Sequence, residues 1–383
     1  MKYLIRTGFA AAIATSAAVV LTGAAGAATA PQDFGFGGPG HVVFVQTDNT
    51  SGNQVIAYDR APDGVLSLAG SYPTGGLGGA LGGSVVDHLA SQGSLAYDQA
   101  GNLLLAVNAG SNTVSAFSVQ GDRLALHQVV GSGGTFPVSV ATWGNLVYVL
   151  NAEGAGSVQG YFVVAGFLLP IPGSNRSLNL TPVTGSNQFT NTPGQVAFSP
   201  DGRELIVTTK ANGDNIDVFG VGPLGLLSFA PVQNTEAGTV PFAMTFDQAG
   251  QLVVADAGTN ALSTFNLEPG GTVALASSVG SGQGATCWVA PAGGYFYASN
   301  AMSGSVSGYQ IAFNGALSLL TPPTTTNPGT VDASGSADGR YLYVQTGANG
   351  IVDEFAVGAT GSLTEVGFVT VPGAAGGEGI VAF

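Results

Sequence analysis

Three side chains in this sequence carry the chemistry that hydrolysis requires. His88 or Glu153 can act as general base on a water, Glu153 can alternatively orient that water, and Lys210 can anchor a carboxylate or stabilise an oxyanion. Five more charged residues, Asp48, Arg176, Glu236, Asp256 and Glu378, are candidate ligand contacts. No spacing rule binds the eight into a motif. The chain has no G-x-S-x-G elbow, no H-E-x-x-H pair, no C-x-x-C and no P-loop. Asp214 and Asp217 lack the ligand spacing of a calcium loop, so no metal is assigned and no cofactor is expected. Cys287, the single cysteine, lies beside Trp288 in an apolar run and reads as a buried thiol, which excludes an internal disulfide.

The elements that must position these groups repeat along the chain. One unit is a short apolar strand, an Asp-Gly turn, a stronger strand ending in a polar residue, a loop, a third strand ending in an aromatic, and a fourth strand. The clearest copy runs from Gln195 through Ser199-Pro200-Asp201-Gly202 to Thr209 and on to Phe219. Aligned on the end of the second strand, the copies fall at Gln46, Asn108, Asn151, Thr208, Asp256, Asn300 and Gln345. The third strands give the same register, through Tyr58, Phe117, Tyr161, Phe219, Phe265, Tyr309 and Phe355. Most spacings lie near the 40 to 45 residues of a four-stranded propeller blade. The two longest hold insertions, a Gly-rich loop at 74–92 and a Pro-, Asn- and Thr-rich segment at 166–190.

The first copy begins at His41 without an innermost strand, and the orphan Gly379-Ile380-Val381-Ala382-Phe383 supplies one. The prediction is an all-β, seven-bladed propeller over 41–383, closed by its C-terminal strand. Closure leaves no open edge to recruit a second chain, so a monomer is expected. All eight candidate residues then fall on the face that carries the blade-to-blade connections and the loops between second and third strands. Arg60, Arg123, Arg203 and Arg340 fall on the opposite face and read as solvated turn charges. The Gly-rich run at 75–83 does not lead into a helix and reads as a mobile or close-packed loop rather than a phosphate cradle.

The units Leu103 to Phe117 and Gln195 to Gly202, with the stretch from Ser91 to Ser94 leading to Asn108-Ala109-Gly110-Ser111-Asn112, resemble the lactonase family of seven-bladed propellers. That family includes 6-phosphogluconolactonases and carboxymuconate-cyclising enzymes, and this chain resembles its exported bacterial branch. The resemblance implies the propeller fold over nearly the whole chain and a lactonase-type ester hydrolase as the family reaction. Catalytically typical members carry a Pro-Arg-His run entering the fifth blade and an Asn-Glu pair at the end of its second strand. Here those positions read Pro241-Phe242-Ala243 and Asp256-Ala257.

Lys2 and Arg6, an Ala-rich apolar run from Gly8 to Leu21 and the small-residue site Ala25-Gly26-Ala27 read as a secretory signal peptide over 1–27, followed by a lead-in over 28–40. No lipid or transmembrane anchor is expected, so the mature chain is expected to be secreted or otherwise extracytoplasmic. Losing Lys2 and Arg6 leaves six basic residues against 22 acidic ones, a net charge of −16. Such a surface excludes phosphate-contacting nucleic-acid binding and anionic membranes as partners. The expected function is binding of a small molecule, glycan or protein through the inserted loops, and the alternative is hydrolysis of a non-phosphorylated lactone.

Overall fold

In the computed structural model, residues 40–383 are described, so the expected signal peptide and all but the last residue of the lead-in lie outside the described residues. Seven antiparallel sheets of up to five strands follow one another along the chain. Blade 1 orders its strands, from the centre outward, as Ile380–Ala382, Val42–Gln46, Gln54–Arg60 and Leu66–Pro73. Blade 2 starts at Leu95, blade 3 at Pro137, blade 4 at Gln195, blade 5 at Pro241, blade 6 at Thr286 and blade 7 at Thr330, each running outward in chain order. Among the described residues the helical structure is two three-residue 3-10 turns, Ala109–Ser111 and Gly185–Asn187.

Burial follows position in the blade. Second strands such as Leu103–Asn108 and Leu146–Asn151 are buried at every residue, because each is covered by the blades on both sides. Fourth strands such as Arg123–Gly131 lie at the rim and are mostly exposed. The seven third-strand aromatics are all buried, although the strands run one to three residues beyond them rather than ending there. Six second strands end on the polar residue read from the repeats, and the seventh continues one residue past Gln345 to Thr346. Those polar ends have structural work. Asn108, Asp256 and Asn300 each bond the hydroxyl of the serine seven residues on, Ser115, Ser263 and Ser307, tying second to third strand inside the blade.

The ring closes as the repeats predicted. Val43, Phe44 and Val45 pair with Ala382, Val381 and Ile380, and further backbone bonds join Gln46 to Gly379 and Phe383 to Val42. The Phe383 ring meets Phe44 and Tyr97 edge-on, which carries the seam into blade 2. Arg60 corrects its sequence reading as a solvated turn charge. It is buried, pairs with Asp338 of blade 7 at 3.2 Å, donates to the Phe383 carbonyl at 3.2 Å and lies over the Tyr341 ring. Arg203 is the solvated kind, pairing with Asp201 at 3.5 Å with both side chains exposed.

Candidate functional site

A propeller collects ligands where its innermost strands surround the channel, and here the chain itself occupies that place. The connection from blade 1 to blade 2 enters the ring from the face carrying the blade-to-blade loops. Within it, Ser91 donates its hydroxyl to the Val138 carbonyl of blade 3 at 2.9 Å and accepts the Trp288 indole N–H of blade 6 at 2.7 Å. The Gln92 amide makes a two-way bond with Val289, donating to its carbonyl at 2.9 Å and accepting its N–H at 3.0 Å, and the Gln92 N–H reaches Gly194 of blade 4. Leu89, Ala90 and Ser91 are buried, with Leu89 and Ala90 in the core shared by blades 2, 3 and 4. Segment 76–94 is therefore a plug.

The glycines explain how it fits. A Cβ at Gly78 would overlap the Asp48 carbonyl, and one at Gly83 would overlap the Ser186 carbonyl of the second insertion. The run is Gly-rich because backbone lies on backbone. The second insertion contributes the outermost strand of blade 3, Phe167–Pro170, and then closes over the plug. Gln188 is the link, accepting the Gly82 N–H at 2.7 Å and donating to Glu153 at 3.0 Å.

Around the plug lie four buried carboxyl groups and one lysine. Asp87 accepts the N–H groups of Leu89, Ala90 and Ser91 at 2.8 to 2.9 Å, which folds the plug's tip. Asp48 accepts the Glu378 N–H at 2.8 Å, Glu378 accepts the Ser94 N–H at 3.3 Å, and Asp332 of blade 7 accepts the Ala333 N–H at 2.9 Å. Burial pushes every one of these acids up, Asp48 to about 8, Asp332 to about 7, Asp87 to about 6, and Glu378 well above the usual range, with their mutual repulsion adding to it. Asp87 is pushed least because three N–H donors and the charge of Lys210 favour its ionised form.

Lys210 is 1% exposed, and its ammonium donates to the carbonyls of Ala90 and Phe189, both at 2.6 Å, and to the Thr192 hydroxyl at 3.1 Å. Its three protons are taken, and burial pulls it down to about 7. His88 is half-buried, its backbone N–H bonded to the Gly376 carbonyl and its ring packed on Gly376, with Nδ1 unpartnered. Burial lowers its basicity. Glu153 holds Gln188. Among the described residues no hydrogen bond joins any two of His88, Glu153 and Lys210.

The remaining sequence candidates divide. Asp48 and Glu378 come together at the seam. Asp256 is buried, bonded to Ser263 and pushed up to about 7, chiefly by burial, with Glu236 adding to the rise. Arg176 stands apart from these. It sits at the outer edge of blade 3, paired with Val158, and donates to the carbonyls of Gly173, Asn175, Leu227 and Ser228. Asp87 and Asp332 were missed. The signal for Asp332 was available, since it is the one charged residue in the interior of an innermost strand. Asp87 carried no signal, because its bonds depend on a turn two to four residues ahead.

At Pro241-Phe242-Ala243, which enters blade 5, an aromatic ring fills the space beside the plug. Phe242 packs against Trp288 with ring centroids 4.9 Å apart and lies under the Lys210 ammonium at 5.1 Å. Among the described residues no helix is long and apolar enough to cross a membrane, and no group of three or more His, Cys, Asp or Glu is arranged to hold a metal ion.

Fold and site together define a seven-bladed propeller with a self-filled channel. No protein-family model matches the sequence, and no curated protein matches it. Solved structures do. A candidate 6-phosphogluconolactonase from Bacteroides fragilis superposes with a TM-score of 0.64 at 18% identity, covering 92% of this chain and 99% of that one. The periplasmic gluconolactonase of Pseudomonas aeruginosa gives 0.67 at 18% identity, covering 88% and 98%. A functionally unknown protein from Desulfotomaculum acetoxidans gives 0.64 at 13%, covering 89% and 98%. The likeness agrees, at the level of fold, with the resemblance read from the repeats.

Proposed function

We propose that this chain is an extracytoplasmic, monomeric lactonase-like propeller that binds a small molecule, glycan or protein on the face built by its two insertions, without turnover. The observation that carries the reading is the plug, because segment 76–94 and its partners use the hydrogen-bonding groups of the channel mouth. Lys210 would have to leave three acceptors before it could hold a substrate carboxylate. Phe242 stands where an arginine would anchor an anion, and the acidic surface repels phosphorylated ligands. Export is supported by the Lys2 to Ala27 pattern and by the likeness to a periplasmic protein.

The competing reading, a hydrolase opening a non-phosphorylated lactone, is favoured by the fold of the Pseudomonas gluconolactonase. A lactone panel of several ring sizes, followed by proton release, separates the two. The binding reading expects the background rate from the wild type and from His88→Ala alike. Turnover above background that His88→Ala or Glu153→Gln abolishes would establish the hydrolase instead.

A further inference from the structure

The outermost strand of blade 6, Leu317–Thr325, breaks its own ladder. Leu320 pairs with Gly308 and Thr324 with Val306, so Thr321, Pro322 and Pro323 all stand opposite Ser307 and bulge from the rim. The run continues as Thr324-Thr325-Thr326-Asn327-Pro328, which makes 321–328 the densest Thr and Pro stretch of the chain. Its hydroxyls divide. Thr326 donates to the Asn327 carbonyl at 2.9 Å and shares a bond with Thr330. Among the described residues the hydroxyls of Thr321, Thr324 and Thr325 make no hydrogen bond, and Thr321 and Thr325 are exposed, with Thr324 partly so. The surface on either side is concave. A cavity of about 430 Å³ lies beside Thr321 and Thr324 and is lined by Tyr297, Leu320 and the Gly361 turn of blade 7. Another of about 270 Å³ brings Thr325 near Asp353, Glu365 and the exposed ring of Phe368. An aromatic face covers the apolar C–H side of a sugar ring, and carboxylates accept its hydroxyls.

We propose that Thr321, Thr324 and Thr325 are acceptors for O-linked sugars, added by a glycosyltransferase to the exported chain. The inference rests on the export in the reading above. Thr- and Pro-rich segments of exported chains carry such sugars because they do not pack into a core and stay within reach of a transferase, and here the bulge gives that reach on a folded rim. In the transfer, the threonine hydroxyl oxygen bonds the anomeric carbon of a phosphate-activated sugar donor. The donor's bond from that carbon to the phosphate oxygen breaks, and the hydroxyl proton passes to a base of the transferase. The other two Thr-Pro pairs of the chain are less open to it. Thr192 is buried with its hydroxyl on Lys210, and Thr181 is held through both its N–H and its carbonyl by Asn212. Sugars at the bulge also have a structural use. Leu317–Thr325 carries no charged residue, so they cover a rim edge whose guards against pairing with a foreign strand are two prolines.

The test uses the chain from the cells that make it, taken separately from medium, envelope and cytoplasm and weighed intact by mass spectrometry. The exported chain is expected to be heavier than its leader-free sequence by whole sugar residues. Fragmentation that spares glycosidic bonds is expected to place them on Thr321, Thr324 or Thr325. The variant carrying Thr321→Val, Thr324→Val and Thr325→Val is expected to lose all of the added mass, and because the mapping is done on the wild type the result does not depend on that variant folding. An exported chain of bare mass overturns the proposal, as do sugars confined to residues outside 321–325, and both outcomes leave the binding reading standing. A chain found only in the cytoplasm, unmodified and with its leader attached, overturns the proposal and the export together.

Discussion

The indole N–H of Trp288 donates to the carbonyl of Ser91 at 2.7 Å, joining the innermost strand of blade 6 to a connection that leaves blade 1. The bond is buried and spans the channel, so it reports whether the channel is filled. Its neighbours extend it in both directions, Gln92 to Val289 and Phe242 to the Trp288 ring. Removing it tests the plug with little other disturbance.

Trp288→Phe keeps the ring against Phe242 and strands the Ser91 carbonyl without its donor. A buried acceptor left unpaired costs about 1 to 3 kcal/mol. Urea denaturation is expected to show a loss in that range, together with faster amide exchange at Leu89 and Ala90. An unchanged midpoint would mean that the plug does not stabilise the ring.

The seam is tested from both its strand and its charge. A chain ending at residue 378 lacks the innermost strand of blade 1 and exposes the edge of Val42–Gln46, so its melting temperature is expected to fall sharply. Arg60→Ala removes the contacts to Asp338 and the Phe383 carbonyl, and because Asp338 can turn to water the expected loss is about 2 kcal/mol rather than that of a fully buried pair. Arg203→Ala, at an exposed pair, is expected to change stability by less than about 0.5 kcal/mol.

Gly78→Ala places a methyl group on the Asp48 carbonyl, where the only relief is a backbone shift. Overpacking of this kind costs about 1 to 3 kcal/mol. Gly131→Ala, whose new methyl would meet no atom within 4 Å, is expected to be near neutral. Equal stability in the two variants would count against the close-packed plug.

Stability should fall as the pH rises through the neutral range. The folded-state values of Asp87, Asp332 and Asp48 are raised to about 6, 7 and 8, against about 4 for an unfolded aspartate. Between those limits the folded chain binds more protons than the unfolded one, so stability is full below about pH 4 and is lost as pH rises through the folded values. Lys210 runs the other way, because its lowered value makes the unfolded chain the better proton binder between about 7 and 10.5. The steepest loss is therefore expected between about pH 5 and 7, measured as the urea midpoint across a pH series. A flat or rising profile there would contradict the buried carboxyl cluster.

The sequence alone determined the ring. Its polar and aromatic residues recur once per blade because each blade must cover its neighbour with the same buried second strand, and the orphan strand at 380–382 had only one open edge to complete. It also told which face the loops of Asp48, His88, Lys210 and Glu378 lie on, since alternating strand direction sends blade-to-blade connections to one side. The tertiary structure decided what those residues touch. Lys210 meets Ala90 across 120 positions and Glu378 meets Ser94 across 284, contacts that no local pattern encodes. The same holds for the Gly-rich run, where the sequence left a mobile and a close-packed loop equally open. Only the channel's dimensions, set by seven blades closing on one another, made that run the piece that fills it.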